Sequence, residues 1–531
     1  ADIVEGISRV FPLFFFLVAA LVCITTMSKM VDEERTQIGV MKALGYGSGA
    51  ITAKYLAYSG SASLLGCVLG VSAGSVIFPS AIWQGYSIMY NFASRIQLTF
   101  QWPLCAIIVC SYTGCMLAVT WFCCRRELAE VPAELIRPKS PKAGKRLLLE
   151  RLPLWKHLSF LRKVSIRNVF RYRKRLVMML LGVGGCAALV VTGFGIRDSI
   201  AGMADYQFRE VTLYDMSVTF AENQEPEDQE AFLKGCAGTV QEALFLHEST
   251  ADLTAGTRTK SVHFLASQEE LSGFVSLHRG KEPVAFPEKG QAVISEGLAE
   301  VLDIQVGDSV LLHMPDMDTL SVTVSGIFDN NVYHYVLVSM DTVLEQWGTT
   351  PSVNTAYVNV PENQAAQESA TTVSRQADVL SVMLCQDIAQ RVSSMMTSLN
   401  YIVALVVLSA AALAFIVMYN LTNINITERI REIATIKVLG FYPAESAAYV
   451  FREGMALTAM GCALGLAAGK LLHAFIIRQV RVDMVYFTPR IFWTSYLWAV
   501  VLTFLFACIV DLFLYFKLER INMAEALKSV E

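Results

Sequence analysis

Two charged segments share a pattern that could do specific chemistry. The first reads Glu33-Glu34-Arg35-Thr36-Gln37-Ile38-Gly39-Val40-Met41-Lys42-Ala43-Leu44-Gly45. The second reads Glu428-Arg429-Ile430-Arg431-Glu432-Ile433-Ala434-Thr435-Ile436-Lys437-Val438-Leu439-Gly440. In the second, Ile430, Ile433, Ala434 and Lys437 recur at i, i+3, i+4 and i+7, which puts three apolar residues on one helix face. Glu428 and Glu432 stand early and Lys437 late, as the helix dipole favours. Gly45 and Gly440 fall where a helix C-terminus takes glycine. The chemistry is that of docking rather than bond-making: a short helix presented to a partner, duplicated for a partner that is itself two-fold. A surface helix lying at a membrane interface would carry the same pattern.

Signals for catalysis are absent from the sequence. There is no G-x₄-G-K-[ST] phosphate loop; Gly469-Lys470 is followed by Leu471, and Leu464 stands where the first glycine would be. The seven histidines are scattered, without H-E-x-x-H or a Cys/His pairing at metal spacing, and no G-x-S-x-G occurs. We therefore expect no catalytic residue, no metal and no directly bound cofactor, and any ATP to act through another chain. Eight of the 12 cysteines sit in apolar runs, where Cys acts as a small hydrophobe. Only Cys236 and Cys385 fall in the acidic middle segment, and two cysteines in a long domain do not define a disulfide.

The elements that position these segments are membrane helices. Of 531 residues, 54% are hydrophobic and 17% charged, against roughly 45–50% and about 25% in soluble chains. Seven stretches approach the roughly 20 apolar residues of a spanning helix: 10–30, 54–80, 100–124, 176–196, 397–420, 446–477 and 491–516. Residues 197–396 hold 10 Lys+Arg against 29 Asp+Glu, while the remainder of the chain nets +15. Basic residues crowd 125–175, flanked on both sides by apolar spans, so they read as an orienting cytoplasmic loop rather than a nucleic-acid face. With that loop inside, 29–54, 421–445 and the C-terminal tail are inside, and 80–100 and 197–396 are outside. Arg478, Arg481 and Arg490 violate the rule in the outer loop 478–490, and the other loops outweigh them.

The chain also repeats itself. A shift of 395 superposes Ile38, Lys42, Leu44 and Gly45 on Ile433, Lys437, Leu439 and Gly440. It also carries Gly66, Cys67, Gly70 and Gly74 onto Gly461, Cys462, Gly465 and Gly469. After the third span the shift becomes 391, which sets Ala133-Glu134 and Arg137 on Ala524-Glu525 and Lys528. Both copies run the same way, which predicts two halves about a pseudo-twofold axis along the membrane normal. Each glycine triplet lies on one helix face, where small residues let membrane helices pack closely.

These readings give an α-helical integral membrane protein with one mixed α/β extracytoplasmic domain. Residues 1–124 form a first block of three helices, 125–175 a basic cytoplasmic linker and 176–196 a further span. Residues 197–396 form the outer domain, and 397–531 a second block of three helices with a tail. Inside the outer domain, 211–220 and 379–384 read as strands and 227–236 and 361–377 as helices. Residues 293–302 read as a strand, Ser295 as cap and a short helix; Gly307-Asp308 reads as a turn between strands. A helix from Asp387 into the span at 397 would tie the outer domain rigidly to the membrane.

The complete E-R-x-x-E-I-x-x-x-K-x-L-G at 428–440 resembles the FtsX-like, or MacB-like (type VII), ABC transporter permeases. The looser copy at 33–45 shares it, with Gln37 at the place of Glu432. So do Pro132-Ala133-Glu134-Leu135-Ile136-Arg137, the looser tail at 523–528 and the outer segment 293–310. The resemblance implies a bacterial plasma-membrane permease whose partners are the lipid bilayer, a cytoplasmic ABC ATPase dimer and an extracytoplasmic substrate or effector protein. It implies that Glu34, Arg35, Gln37, Ile38, Lys42, Gly45, Glu428, Arg429, Glu432, Ile433, Lys437 and Gly440 couple to the ATPase. Closure of the ATPase would move the outer domain, exporting or extracting a lipid, lipoprotein or peptide by mechanotransmission. The alternative is a signalling or regulatory subunit that controls a wall hydrolase or senses an antimicrobial peptide. The family order is one span, an outer domain, then three spans. The first copy shows only the last three, so we expect a part upstream of residue 1.

Overall fold

The computed structural model describes residues 2–87, 99–136, 173–314, 317–361, 365–479 and 485–520. Arg137, most of the basic linker and the second tail at 521–531 lie outside them, as do Arg481 and most of the first outer loop. The first block comprises α1 (Asp2–Glu33), α2 (Arg35–Ala43), α3 (Ser48–Ser87), α4 (Trp102–Leu128) and α5 (Pro132–Ile136). After α6 (Arg173–Tyr206) come the elements of the outer segment: β1 (Met216–Phe220), α7 (Pro226–Gly235), β2 (Glu242–Ala255) and β3 (Arg258–Ser267). They continue as β4 (His278–Arg279), β5 (Glu282–Pro283), β6 (Gln291–Ser295), α8 (Glu296–Leu302), β7 (Ser309–Met314) and β8 (Met317–Phe328). The segment closes with β9 (Tyr335–Ser339), α9 (Met340–Trp347), β10 (Thr355–Asn359), α10 (Ala366–Val373) and β11 (Val379–Leu384). The second block is α11 (Cys385–Glu428), α12 (Ile430–Val438), α13 (Pro443–Gln479) and α14 (Trp493–Glu519).

Among the described residues, seven helical stretches are long and apolar enough to cross a membrane: Phe11–Glu33, Ser48–Gln84, Trp102–Arg126, Leu176–Val211, Val403–Glu428, Ala444–Gln479 and Trp493–Glu519. The fold is thus an α-helical membrane protein with a mixed α/β domain. In the helical unit the two repeats meet at equivalent residues. Lys29 Nζ donates to the Ile424 carbonyl at 3.4 Å, and these positions are 395 apart, the repeat shift itself. Nearby, Asn420 Nδ2 donates to Thr26 Oγ1 at 2.8 Å. A two-fold axis between α1 and α11 would bring equivalent positions together in this way.

The two glycine triplets have unequal surroundings. Along α13, a Cβ built on Gly461 would stand 2.9 Å from Val183 Cβ, one on Gly465 2.6 Å from Ala187 Cβ, and one on Gly469 2.7 Å from Val191 Cβ. The constant offset makes α6 and α13 parallel, in backbone-close packing. Thr192 Oγ1 adds a hydrogen bond across the seam to the Gly469 carbonyl at 3.2 Å. At Gly66, Gly70 and Gly74 of α3 a Cβ would meet no described atom within 4 Å. The expected packing role therefore has contacts in the second copy alone among the described residues.

In the outer unit, strands run in the order β11-β1-β10-β2-β3-β9-β6-β8-β7, and β7 pairs back with β2. The last six strands thereby close into a barrel around Leu253, Phe264, Ile294, Leu312 and Val324. β3/β9 and β6/β8 are parallel; the other pairings are antiparallel. The 14 residues of β2 serve both parts: Glu242–Leu246 pairs with β10, and the stretch from His247 onward with β3 and β7. Val218, Phe232 and Val358 anchor a separate core against the four-stranded part. Ser295 caps α8 in backbone geometry, but its hydroxyl accepts from Tyr335 N at 3.2 Å instead of from its own helix. The helix expected over 361–377 is observed only as α10, and Cys236 and Cys385 are both free thiols.

A leucine at 465 must push α6 and α13 apart, because what it meets includes the Gly184 carbonyl at 2.7 Å and the Ala188 nitrogen at 3.2 Å. Overpacking of this kind costs about 1–3 kcal/mol. Gly465→Leu is expected to lower the unfolding temperature in detergent, and Gly70→Leu to leave it unchanged. Equal effects of the two would contradict the difference between the triplets.

Candidate functional site

The short helices α2 and α12 are built alike, from backbone upward. Each follows the preceding span after a break at one residue, Glu34 or Arg429. Each ends in a glycine at positive φ, Gly45 at 90° and Gly440 at 92°. Gly45 N donates to Lys42 O and Tyr46 N to Met41 O; Gly440 N donates to Lys437 O and Phe441 N to Ile436 O. That pair of bonds is the Schellman motif, which needs a left-handed residue and so selects glycine.

Apolar residues hold each helix down. Ile38 and Ile433 are buried, as is Ala434. Ile38 joins Met27, Val31, Ile51, Tyr55, Leu128 and Leu135 in one cluster, so α2 rests on the ends of α1, α3 and α4 and on α5. Gly39 allows this: a Cβ there would lie 2.9 Å from Ile136 Cγ1 and 3.0 Å from Leu135 Cβ.

The two lysines complete the attachment. Lys42 Nζ donates to the carbonyls of Leu128 at 2.8 Å and Glu130 at 2.7 Å. Lys437 Nζ donates to those of Leu518 at 2.8 Å and Glu519 at 3.2 Å. Leu128, Leu518 and Glu519 stand at the C-terminal ends of α4 and α14, and Glu130 lies just past α4. Carbonyls at a helix C-terminus have no backbone N–H of the same helix to satisfy them and carry the negative end of the helix dipole. Burial pulls the Lys437 ammonium below the usual lysine value, with Glu519 opposing. The motif lysine therefore points inward, to the end of the third span of its own block.

The acidic and arginine positions differ between the copies. In the first, Glu34 accepts from Lys54 Nζ and Tyr55 OH, both at 2.7 Å. Lys54 and Tyr55 together hold its carboxyl below the usual range, against a smaller opposing effect of burial. Arg35, which is buried, pairs with Glu130. In the second, Arg429 bonds Glu432 through Nε at 2.8 Å and pairs through Nη1 with Glu453. Arg429 and Glu453 side chains are 3% and 1% exposed, a buried ion pair. Gln37 and Glu428 face outward.

What the outward end of each segment presents is apolar. Leu44 is 72% exposed and Leu439 71%, followed by exposed Tyr46 in one copy and Phe441 and Tyr442 in the other. Isolated exposed apolar residues need no explanation, but here the same crest recurs at equivalent places. Leu44 and Leu439 were visible in the repeat; the aromatic residues after each glycine were the signal that charge-based reasoning passed over. Glu130 and Glu453, distant in sequence, carry no local signal at all.

Two family models match. The FtsX-like permease C-terminal model covers residues 9–129 and again 404–519. The MacB-like periplasmic core domain model covers 176–375. The chain belongs to the FtsX/MacB-like permease family. Both copies of the FtsX-like match include the short helix, and the MacB-like match covers most of α6 and most of the outer unit. The solved periplasmic region of MacB from Actinobacillus actinomycetemcomitans is similar at 13% identity, covering 34% of this chain and 94% of that one, with a TM-score of 0.25. The extracellular domain of the ABC-type transporter YknZ from Gram-positive bacteria is similar at 14% identity, covering 30% and 91%, with a TM-score of 0.21. Among curated proteins no sequence match stands out. The family is the transmembrane component of ABC transporters, whose ATPase is a separate cytoplasmic subunit; no group of His, Cys, Asp and Glu among the described residues could hold a metal.

Removing one member of a buried ion pair strands the other charge, at about 3–5 kcal/mol. Arg429→Met is expected to destabilise strongly, and the double variant with Glu453→Met to recover most of the loss in detergent unfolding. Lys437→Met should cost about 1 kcal/mol and speed amide exchange across α12. Unchanged exchange would mean that the ammonium does not hold the helix.

Proposed function

We propose that this permease couples ATP hydrolysis by a separate ABC ATPase dimer to movement of its outer domain, and so exports or extracts an amphiphilic substrate. The observation that carries this is the pair of anchored helices, each ending in an exposed apolar crest. α2 and α12 are the ATPase-coupling elements, and the lysines divide the work within them. Lys42 and Lys437 bind each helix to its third span, while Leu44-Gly45-Tyr46 and Leu439-Gly440-Phe441-Tyr442 meet the ATPase. A force applied to the crest then reaches α4 and α14 through charge-assisted hydrogen bonds, which are stronger than neutral ones. α11, an unbroken helix of 44 residues from Cys385 to Glu428, is the rod that carries movement to the outer domain. On this reading Gln37 and Glu432 form a polar rim around the crest. The two-fold relation between the segments supports an ATPase that is a dimer.

The test uses the crest, whose exposure makes substitution harmless to the fold. Leu44→Asp with Leu439→Asp should abolish co-purification with the ATPase and leave the unfolding temperature of the permease in place. Retained co-purification in that variant would remove the crest as the docking surface.

A further inference from the structure

The outer unit contains a crevice of about 60 Å³ that the coupling reading does not use. Its walls are Tyr214, Tyr335, Tyr357, Leu265, Leu337 and Phe328, with Gln207, Asn330 and Cys385 among the rest. Tyr214 stacks on Tyr357 with ring centroids 4.1 Å apart and planes at 10°. Among the described residues no charged side chain lines it. Burial keeps the phenols of Tyr214, Tyr335 and Tyr357 above their usual pKa, hence neutral, and pushes the Cys385 thiol up to about 12.

Three features show that the walls are set in place. Gln207–Val211 is a π-helical turn, closed by Thr212 N donating to Gln207 O at 2.8 Å. Such turns are rare and gather at functional sites. Tyr333, another lining residue, holds φ at 60°, which is strained for a tyrosine. The Gln207 side chain clamps the region: its amide nitrogen donates to Asn330 Oδ1 at 2.7 Å and Thr212 Oγ1 at 3.1 Å, and its oxygen accepts from Asn331 N at 2.7 Å. Asn330 Nδ2 donates in turn to the carbonyls of Val332 and Tyr333. The amide groups at the wall are therefore satisfied within the protein and ask for no polar ligand atom.

We infer that this crevice binds the terminal carbons of an aliphatic chain carried by an amphiphile. Its neutral, mostly apolar walls exclude an anionic headgroup. Its volume admits a chain end rather than a whole lipid, and its aromatic and aliphatic walls suit methylenes. The crevice also borders both helices that leave the outer unit, since Gln207 follows the last residue of α6 and Cys385 is the first of α11. A chain end seated there touches both.

The inference rests on the amphiphile-permease reading and deepens it. The test uses the full chain in lipid nanodiscs with a diazirine-bearing decanol as probe, mapped by peptide mass spectrometry. Labels are expected around Tyr214, at 333–337 and at 385–388, and unlabelled decanol should remove at least four-fifths of them. Leu265→Trp, which fills the crevice, should lower them at least fivefold without changing labels on the spanning helices; Val275→Phe is the milder second variant. Labels confined to the spans, or insensitive to decanol, would overturn the assignment. Competition by trileucine amide but not by decanol would also overturn it, in favour of a peptide side chain. Co-purification with the ATPase is read on the same samples. Its persistence without crevice labelling sinks the crevice alone, and its loss with labelling intact sinks the coupling reading alone.

Discussion

A lysine ammonium set on the carbonyl end of a neighbouring helix is the interaction on which the two halves of this permease turn. Alone, nine residues of helix are marginal in water, because helix formation starts from a costly nucleus. α2 and α12 are that short. They persist because isoleucine buries their inner faces and because Lys42 and Lys437 each satisfy two carbonyls at or just past the end of α4 or α14. With the inner side occupied, the leucine and aromatic residues around the terminal glycine can only face away. One bond set fixes both where the helix sits and what it shows.

The repeat preserves this backbone arrangement while exchanging its electrostatics. Glu34 in the first copy holds the place of Arg429 in the second, so the charge at that position is reversed. The partners reverse with it: Lys54 and Tyr55 serve Glu34, and Glu453 serves Arg429. The first arrangement is partly solvated and the second is buried. A buried pair gains less than its distance suggests, since desolvation offsets the attraction, yet it penalises any arrangement that separates the partners. The second block is therefore the less forgiving of the two.

Much of the architecture was legible because it rests on long, repeated patterns. Seven apolar runs, the charge contrast between segments and the constant shift of the glycines led to the membrane helices, the outer α/β domain and the duplicated helical block. Strands next to a clear turn or cap, such as those at 291–295 and 309–314, were also readable. The β2–β3 hairpin was not read, although Gly256-Thr257 between Ala255 and Arg258 is a two-residue turn with glycine at positive φ. The barrel could not be read, because closure depends on β2 pairing with β7 about 60 residues away. In the two short-helix segments, residue types and helix ends were legible, but the destination of each side chain was not. Lys42 and Lys437 reach carbonyls more than eighty residues away, and no spacing within the motif encodes that.

The long β2 strand has a consequence for how the outer domain comes apart. Its first residues are the edge that the four-stranded part needs, and its last residues close the barrel. Peeling it away would expose both cores at once, one around Val358 and the other around Leu253. Local openings follow cooperative units whose members share hydrogen bonds and buried surface. The barrel and the sheet consequently open together, as one cooperative unit rather than one half at a time.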